Sequence, residues 1–198
     1  MARPRSFDET RVLRAARDRF WSSGYAGTSV DEVAAATGLG KGSLYGAFGD
    51  KRSLFLRVFE DHSADLVDSV RQALEGPDAS ASERLKAHVG AVARATGNDI
   101  TRRGCLVAKG TAELSADDPA VAASAQRTFD AIENLLASCI EAAQRHRDID
   151  PSADPRQLAS LLLAVLRGME ALGRAGKSKA GLIDIANTAV GLLPWVAH

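Results

Sequence analysis

The 198-residue sequence has only two cysteines and no excess charge of either sign. Cys105 and Cys139 lie far apart, outside any C-x-x-C or Cys/His spacing, which excludes a disulfide framework and a structural zinc site and favours a reducing compartment. No run of about 18 apolar residues occurs, and "MARPRSFDETR" at the start contains no apolar signal core. Neither export nor membrane insertion is therefore expected, and the protein reads as cytoplasmic. The zero net charge conceals a split, with ten basic and seven acidic side chains over residues 1–60, a net +3, and a net −3 over residues 61–198. Strand signals are lacking, as are a Ser/His/Asp order, an H-E-x-x-H motif and paired carboxylates in a strand–turn context, so no enzyme, catalytic residue, metal site or cofactor is expected.

What the sequence does have is apolar residues at helical spacing almost throughout, which predicts an all-α chain of about nine helices. Val12, Leu13, Ala16 and Phe20 form the stripe of a first helix over 7–23, closed by Gly24. "TSVDEVAAATG" follows, in which Ser29 and Glu32 make a capping box and Gly38 ends a two-turn helix. A short third helix near 41–47 precedes a long fourth, capped by Asp50, whose apolar positions Leu54, Val58, Phe59, Leu66, Val70 and Leu74 keep the helical period. Further helices are predicted near 82–97, 105–115, 119–146, 155–175 and 179–193, with Asp118-Pro119 and Asp154-Pro155 as starts. The last two are apolar around much of their circumference, which calls for a partner on more than one side.

The stretch "GLGKGSLYGAFGDK" places five glycines within twelve residues. A phosphate cradle would need G-x-x-x-x-G-K-[ST] after a strand, but Gly42 follows Lys41 and Ala35 stands where the first glycine belongs. The dinucleotide pattern G-x-G-x-x-G fails as well, with Ser43 at its last position. A helix-turn-helix asks for a short helix, a tight turn and a second helix packed on the first. Val33 and Ala34, then Gly38, then Leu39 and Leu44 supply these. The second helix would then turn Lys41, Ser43, Tyr45 and Gly46 outward, with Gly42 and Gly46 allowing its backbone to approach DNA closely.

These residues carry a resemblance. "RVLRAARDRFWSSGYAGTSVDEVAAATGLGKGSLYGAFGDKRSLFLRVFE" resembles the DNA-binding domain of the TetR family of bacterial transcriptional regulators, through Ala15-Ala16, Phe20, Gly24-Tyr25, Gly27-Thr28, the "VAAATG" turn, Lys41 to Tyr45, Phe48 and Lys51. The resemblance implies a homodimer joined through its last two helices, with a DNA-binding domain over 1–50 and a helical ligand-binding and dimerisation domain over 51–198. Such a protein is usually a repressor that leaves a palindromic double-stranded operator when a small-molecule effector binds. Thr28, Ser29, Lys41, Gly42, Ser43, Tyr45, Gly46 and Lys51 would contact DNA, Thr28 and Lys51 through phosphates. Two departures stand out: relatives often carry His or Tyr where this chain has Gly46, and their usual Pro before Ser-Lys is replaced by Gly49-Asp50.

"RRGCLVAKGTAELSADDPAV" is similar to the Gly-Cys-Leu segment of one subgroup, some of whose members sense electrophiles or oxidants through that cysteine. Cys105 follows Arg102-Arg103-Gly104 at a predicted helix start, where cations and the helix dipole favour a thiolate. It is either a sensing thiol or a small packing residue, whereas Cys139 lies in an apolar stripe and reads as core. The resemblance also implies a cavity beside the long fourth helix, with Phe59, His62, His88, Val92, Cys105, Phe129, Ile132 and Met169 as candidate lining and Lys109, Arg167 and Glu170 as polar anchors. Three functions are thus in view: a ligand-responsive repressor, a thiol-responsive repressor of the same fold, and a helical interaction protein without DNA binding.

Overall fold

The structure is a computed structural model that describes residues 7–196. Among them the chain forms α1 (Glu9–Ser23), α2 (Val30–Thr37), α3 (Lys41–Phe48), α4 (Lys51–Leu74), a 3-10 turn (Asp78–Ser80), α5 (Ala81–Asn98), α6 (Leu106–Leu114), α7 (Pro119–Arg145), α8 (Pro155–Arg174) and α9 (Lys179–Gly191). No strand is present among these residues, only a single antiparallel bridge between Ile149 and Trp195, and the fold is all-α as expected. No described helix is long and apolar enough to cross a membrane.

Local chemistry sets the helix ends. α1 begins at Glu9 rather than Phe7 because the Asp8 carboxylate accepts from the Arg11 amide at 3.2 Å, which makes Asp8 the N-cap. The capping box of α2 is complete: the Ser29 hydroxyl accepts from the Glu32 amide at 3.2 Å, and the Glu32 carboxylate accepts from the Ser29 amide at 2.7 Å. Asp50 caps α4 by accepting from the Ser53 amide at 2.7 Å. Asp154 accepts from the amides of Arg156 and Gln157 ahead of α8, whose first turn contains Pro155.

The described chain divides into two compact units. One comprises residues 7–64 with Leu106–Ala125, that is α1 to α3, the first half of α4, α6 and the start of α7. Its core is built from Val12, Ala16 and Phe20 of α1, Val33 of α2, Leu44 of α3 and Phe55, Val58 and Phe59 of α4, all buried. Phe55 meets Phe20 and Tyr25 edge-on, each at 5.1 Å between centroids. Complete burial of one such ring contributes about 2 kcal/mol. α6 crosses α4 at Gly110, where even a Cβ would fall 2.6 Å from Phe59.

The other unit comprises Asp65–Cys105 and residues 126–196. α5 lies against both α8 and α9, and Leu85, Val89, Ile132, Leu136, Leu162 and Leu166 are fully buried among them. Cys139 is buried and its thiol faces the Ala81 carbonyl at 3.4 Å, so it is a core residue as its stripe predicted, with burial pushing the thiol pKa up. The outward sides of α8 and α9 remain uncovered. Leu161 is 49% and Leu192 74% exposed, and with Val165, Ile185 and Ala189 they line an open groove of about 420 Å³.

Candidate nucleic-acid interface

The α2–turn–α3 segment is built around two buried apolar side chains, Val33 and Leu44, with Thr37 also buried at the end of α2. Gly38 makes the turn with φ 72° and ψ 15°, a left-handed conformation that L side chains resist. With Leu44 turned inward, α3 leaves Lys41, Gly42, Ser43, Tyr45 and Gly46 exposed. The glycines within α3 are not required by packing: a Cβ at Gly42 or Gly46 would meet nothing within 4 Å. Glycine in a helix costs about 1 kcal/mol relative to alanine. Nothing inside the chain offsets that cost at Gly42 and Gly46.

Charge on this face is partly neutralised. The Lys41 ammonium sits 2.7 Å from the Asp31 carboxylate, which raises its pKa, and both side chains are solvent-exposed. Any anion approaching from outside would compete with Asp31 for this cation. Lys51 stands over the Tyr25 ring at 4.4 Å, and the Tyr25 hydroxyl is pushed up in pKa by burial and then by Asp50. Ser29 is exposed, but its hydroxyl donates to Glu32 at 2.8 Å within the capping box. Thr28 departs from its expected role at a phosphate. It is only 1% exposed, and its hydroxyl donates to the Gly24 carbonyl at 2.6 Å, so the side chain is committed to the turn between α1 and α2.

The candidate ligand residues are distributed between the two units. In the first, Phe59 is fully buried beside Phe55, and His62 packs on the Trp21 ring at 4.9 Å. Lys109 differs from the anchor expected of it: its ammonium donates to the carbonyls of Trp21 at 3.0 Å and Ser22 at 3.1 Å, at the end of α1. In the second unit Ile132 and Met169 are core, and Val92 and Phe129 are half-buried.

Cys105, Arg167, Glu170 and His88 are brought together there. Arg167 donates to the Cys105 sulfur at 3.2 Å and lies 3.0 Å from the Glu170 carboxylate. Burial raises the Glu170 pKa against the opposing pull of Arg167 and the Cys105 thiol. Burial, then Arg167, lowers that of His88 and so disfavours its charged form. Among the described residues no group of His, Cys, Asp and Glu could hold a metal ion.

Sequence spacing did not reveal Asp31 as the partner of Lys41, nor Asp118, whose carboxylate takes Arg52 in a two-pronged pair at 2.6 and 2.8 Å while capping the start of α7. The first pair had a local signal, a carboxylate in the first turn of α2. The second spans 66 residues and had none.

Comparison with known proteins agrees with this geometry. The family "Bacterial regulatory proteins, tetR family" matches residues 12–58, and "Tetracyclin repressor-like, C-terminal domain" matches residues 81–188. The transcriptional repressor ComR of Escherichia coli is 28% identical over 192 residues, covering 97% of this chain and 91% of that protein. The repressor DhaR of a Mycobacterium species is 27% identical over 149 residues, 75% of this chain and 73% of its own. Among solved structures, a cysteine mutant of the TetR family regulator CifR, complexed with 26-bp operator DNA, superposes with a TM-score of 0.84 at 24% identity, over 98% of this chain and 100% of that one. The reduced form of E. coli NemR superposes at 0.84 and 20% identity, over 96% and 98%. An exposed short helix after a tight turn on a helical scaffold and a two-part family match over most of the chain agree: the chain is a DNA-binding transcriptional regulator and belongs to the TetR family.

Proposed function

We propose that this regulator is a homodimeric repressor that binds a palindromic operator through α3 and is released by a small-molecule effector. The observation that carries the reading is the outer face of α3, where Lys41, Ser43 and Tyr45 alternate with glycines that no internal contact requires. Such a face lets a helix lie deep in a major groove while its polar side chains reach base edges and phosphates. The uncovered groove of α8 and α9 supports pairing of two copies, which would set two recognition helices about 34 Å apart, one turn of DNA. The repressor relatives support the sign of regulation. Duplexes selected from a random pool by the purified protein should be enriched in an inverted repeat. Lys51→Ala should then weaken all duplexes alike and lower the slope of log affinity against log salt by about 1, as loss of one phosphate contact does. An unchanged slope would remove Lys51 from the interface, and a pool that never converges would favour an interaction protein over a DNA reader.

A second reading, release by thiol modification, has its own observation: Cys105 is half-buried and receives a hydrogen bond from Arg167 at 3.2 Å. A thiol that keeps part of its surface open beside a cation can be reached and modified by electrophiles and oxidants. N-ethylmaleimide or peroxide should release the wild-type protein from its selected duplex and leave Cys105→Ser bound. Equal release of both would assign Cys105 to packing.

A further inference from the structure

We infer that Lys109 and Glu113 are positioning residues for DNA recognition, a pair of opposite charges on α6 that grips the end of α1 and the turn into α2. Four residues apart, the two side chains lie on one face of α6. Lys109 is buried, and its ammonium donates to the Trp21 and Ser22 carbonyls at 3.0 and 3.1 Å, among the last of α1. Carbonyls at a helix end lack partners along the helix and carry the negative end of its dipole, so a cation there satisfies both. Glu113 takes the next step of the chain: its carboxylate accepts from the Tyr25 amide at 2.7 Å and the Ala26 amide at 3.3 Å. Cation and anion thus bracket the point where α1 stops, each matched to the backbone groups it meets.

Gly24 fits the same arrangement. It is buried between the two gripped segments with φ 79°, and a Cβ there would lie 2.1 Å from a Glu113 carboxylate oxygen. The carboxylate therefore occupies the space that any side chain at this turn would need. From the gripped amides the path to DNA is short. The Thr28 hydroxyl bonds back to Gly24 and its amide to Tyr25, Ser29 caps α2, and α2 packs on α3 through Val33 and Leu44. The contacts link positions 87 and 88 residues apart, so α6, which starts one residue after Cys105, belongs to the machinery that orients the recognition helix. Neither residue is assigned to touch DNA.

The inference rests on DNA recognition by α3. Its test uses the full chain and two duplexes: one selected from a random pool by the wild-type protein, and a scrambled duplex of the same composition. Glu113→Ala and Lys109→Met should each lose about ten-fold in affinity for the selected duplex. They should keep their affinity for the scrambled duplex and the wild-type salt slope, since no phosphate-facing charge has changed. Glu113→Gln, which retains an acceptor oxygen for the Tyr25 amide, should recover part of the loss, and it decides the matter on the same criteria if the alanine variant melts below the assay temperature. Unchanged affinity for the selected duplex, or an equal loss on both duplexes that follows the melting temperature, would overturn the inference. A wild-type protein that selects no sequence would overturn both it and the DNA-reading function beneath it.

Discussion

His88 shows how a single side chain reports its surroundings. Buried and facing Arg167, it has its pKa held below the ordinary value of about 6.5, so the unfolded chain takes up the proton first as pH falls. The stability that goes with neutral His88 is complete above that ordinary value and is lost as pH drops through the lowered one. Glu170, raised by burial, works in the opposite sense, its contribution being complete below the ordinary carboxylate value and lost as pH rises through the raised one. His88→Gln should therefore melt at a temperature that closes on, or passes, that of the wild type as pH is lowered from 8 to 5.5. Thermal melts across that range check it, and a constant gap would show that His88 does not titrate with folding.

At the scale of elements, α2 and α3 act together, because an acid on one holds a cation on the other. Exposed pairs of this kind are worth little in stability, but here the 2.7 Å contact occupies the lysine that the proposed function turns toward DNA. Asp31→Asn should leave melting almost unchanged and raise affinity for a scrambled duplex at low salt by about two- to five-fold. Fluorescence anisotropy against salt would show it, and a fall in affinity would mean that Asp31 supports the interface instead of competing for it. These elements were the most legible part of the sequence. Ser29 and Glu32 announce α2 and Gly38 its end, since caps are written in residues three or four apart. The jobs of Thr28 and Lys109 were not legible: each depends on which carbonyl the fold brings to it, at Gly24 for one and at Trp21 and Ser22, 88 and 87 residues away, for the other. Periodicity reports which face of a helix is apolar, and stays silent about what a polar group on that face will meet.

For the whole molecule, the apolar surface of α8 and α9 bears on assembly. Leu161 and Leu192 stand on an open groove, and exposed apolar surface of this kind marks an interaction site. Leu161→Glu and Leu192→Glu should each raise the dissociation constant of the proposed homodimer by about ten-fold or more, read by sedimentation across concentration, with helix content unchanged. A dimer indifferent to both would place the subunit contact elsewhere. Operator affinity should fall in step with dimerisation, because two half-sites read together gain from being linked.

The bare face of α3 also says something about how this regulator could change its target. Most substitutions on a protein destabilise it, and a new specificity usually has to overcome that loss. At Gly46 the terms are reversed. The position lies within a helix, a Cβ there meets nothing within 4 Å, and replacing glycine by a better helix former adds up to about 1 kcal/mol. A mutation that gives this helix a new side chain to present to a base would therefore also make the helix firmer. If α3 enters the groove as proposed, Gly46 is a position from which descendants, or designers, could move to another operator without loss of stability.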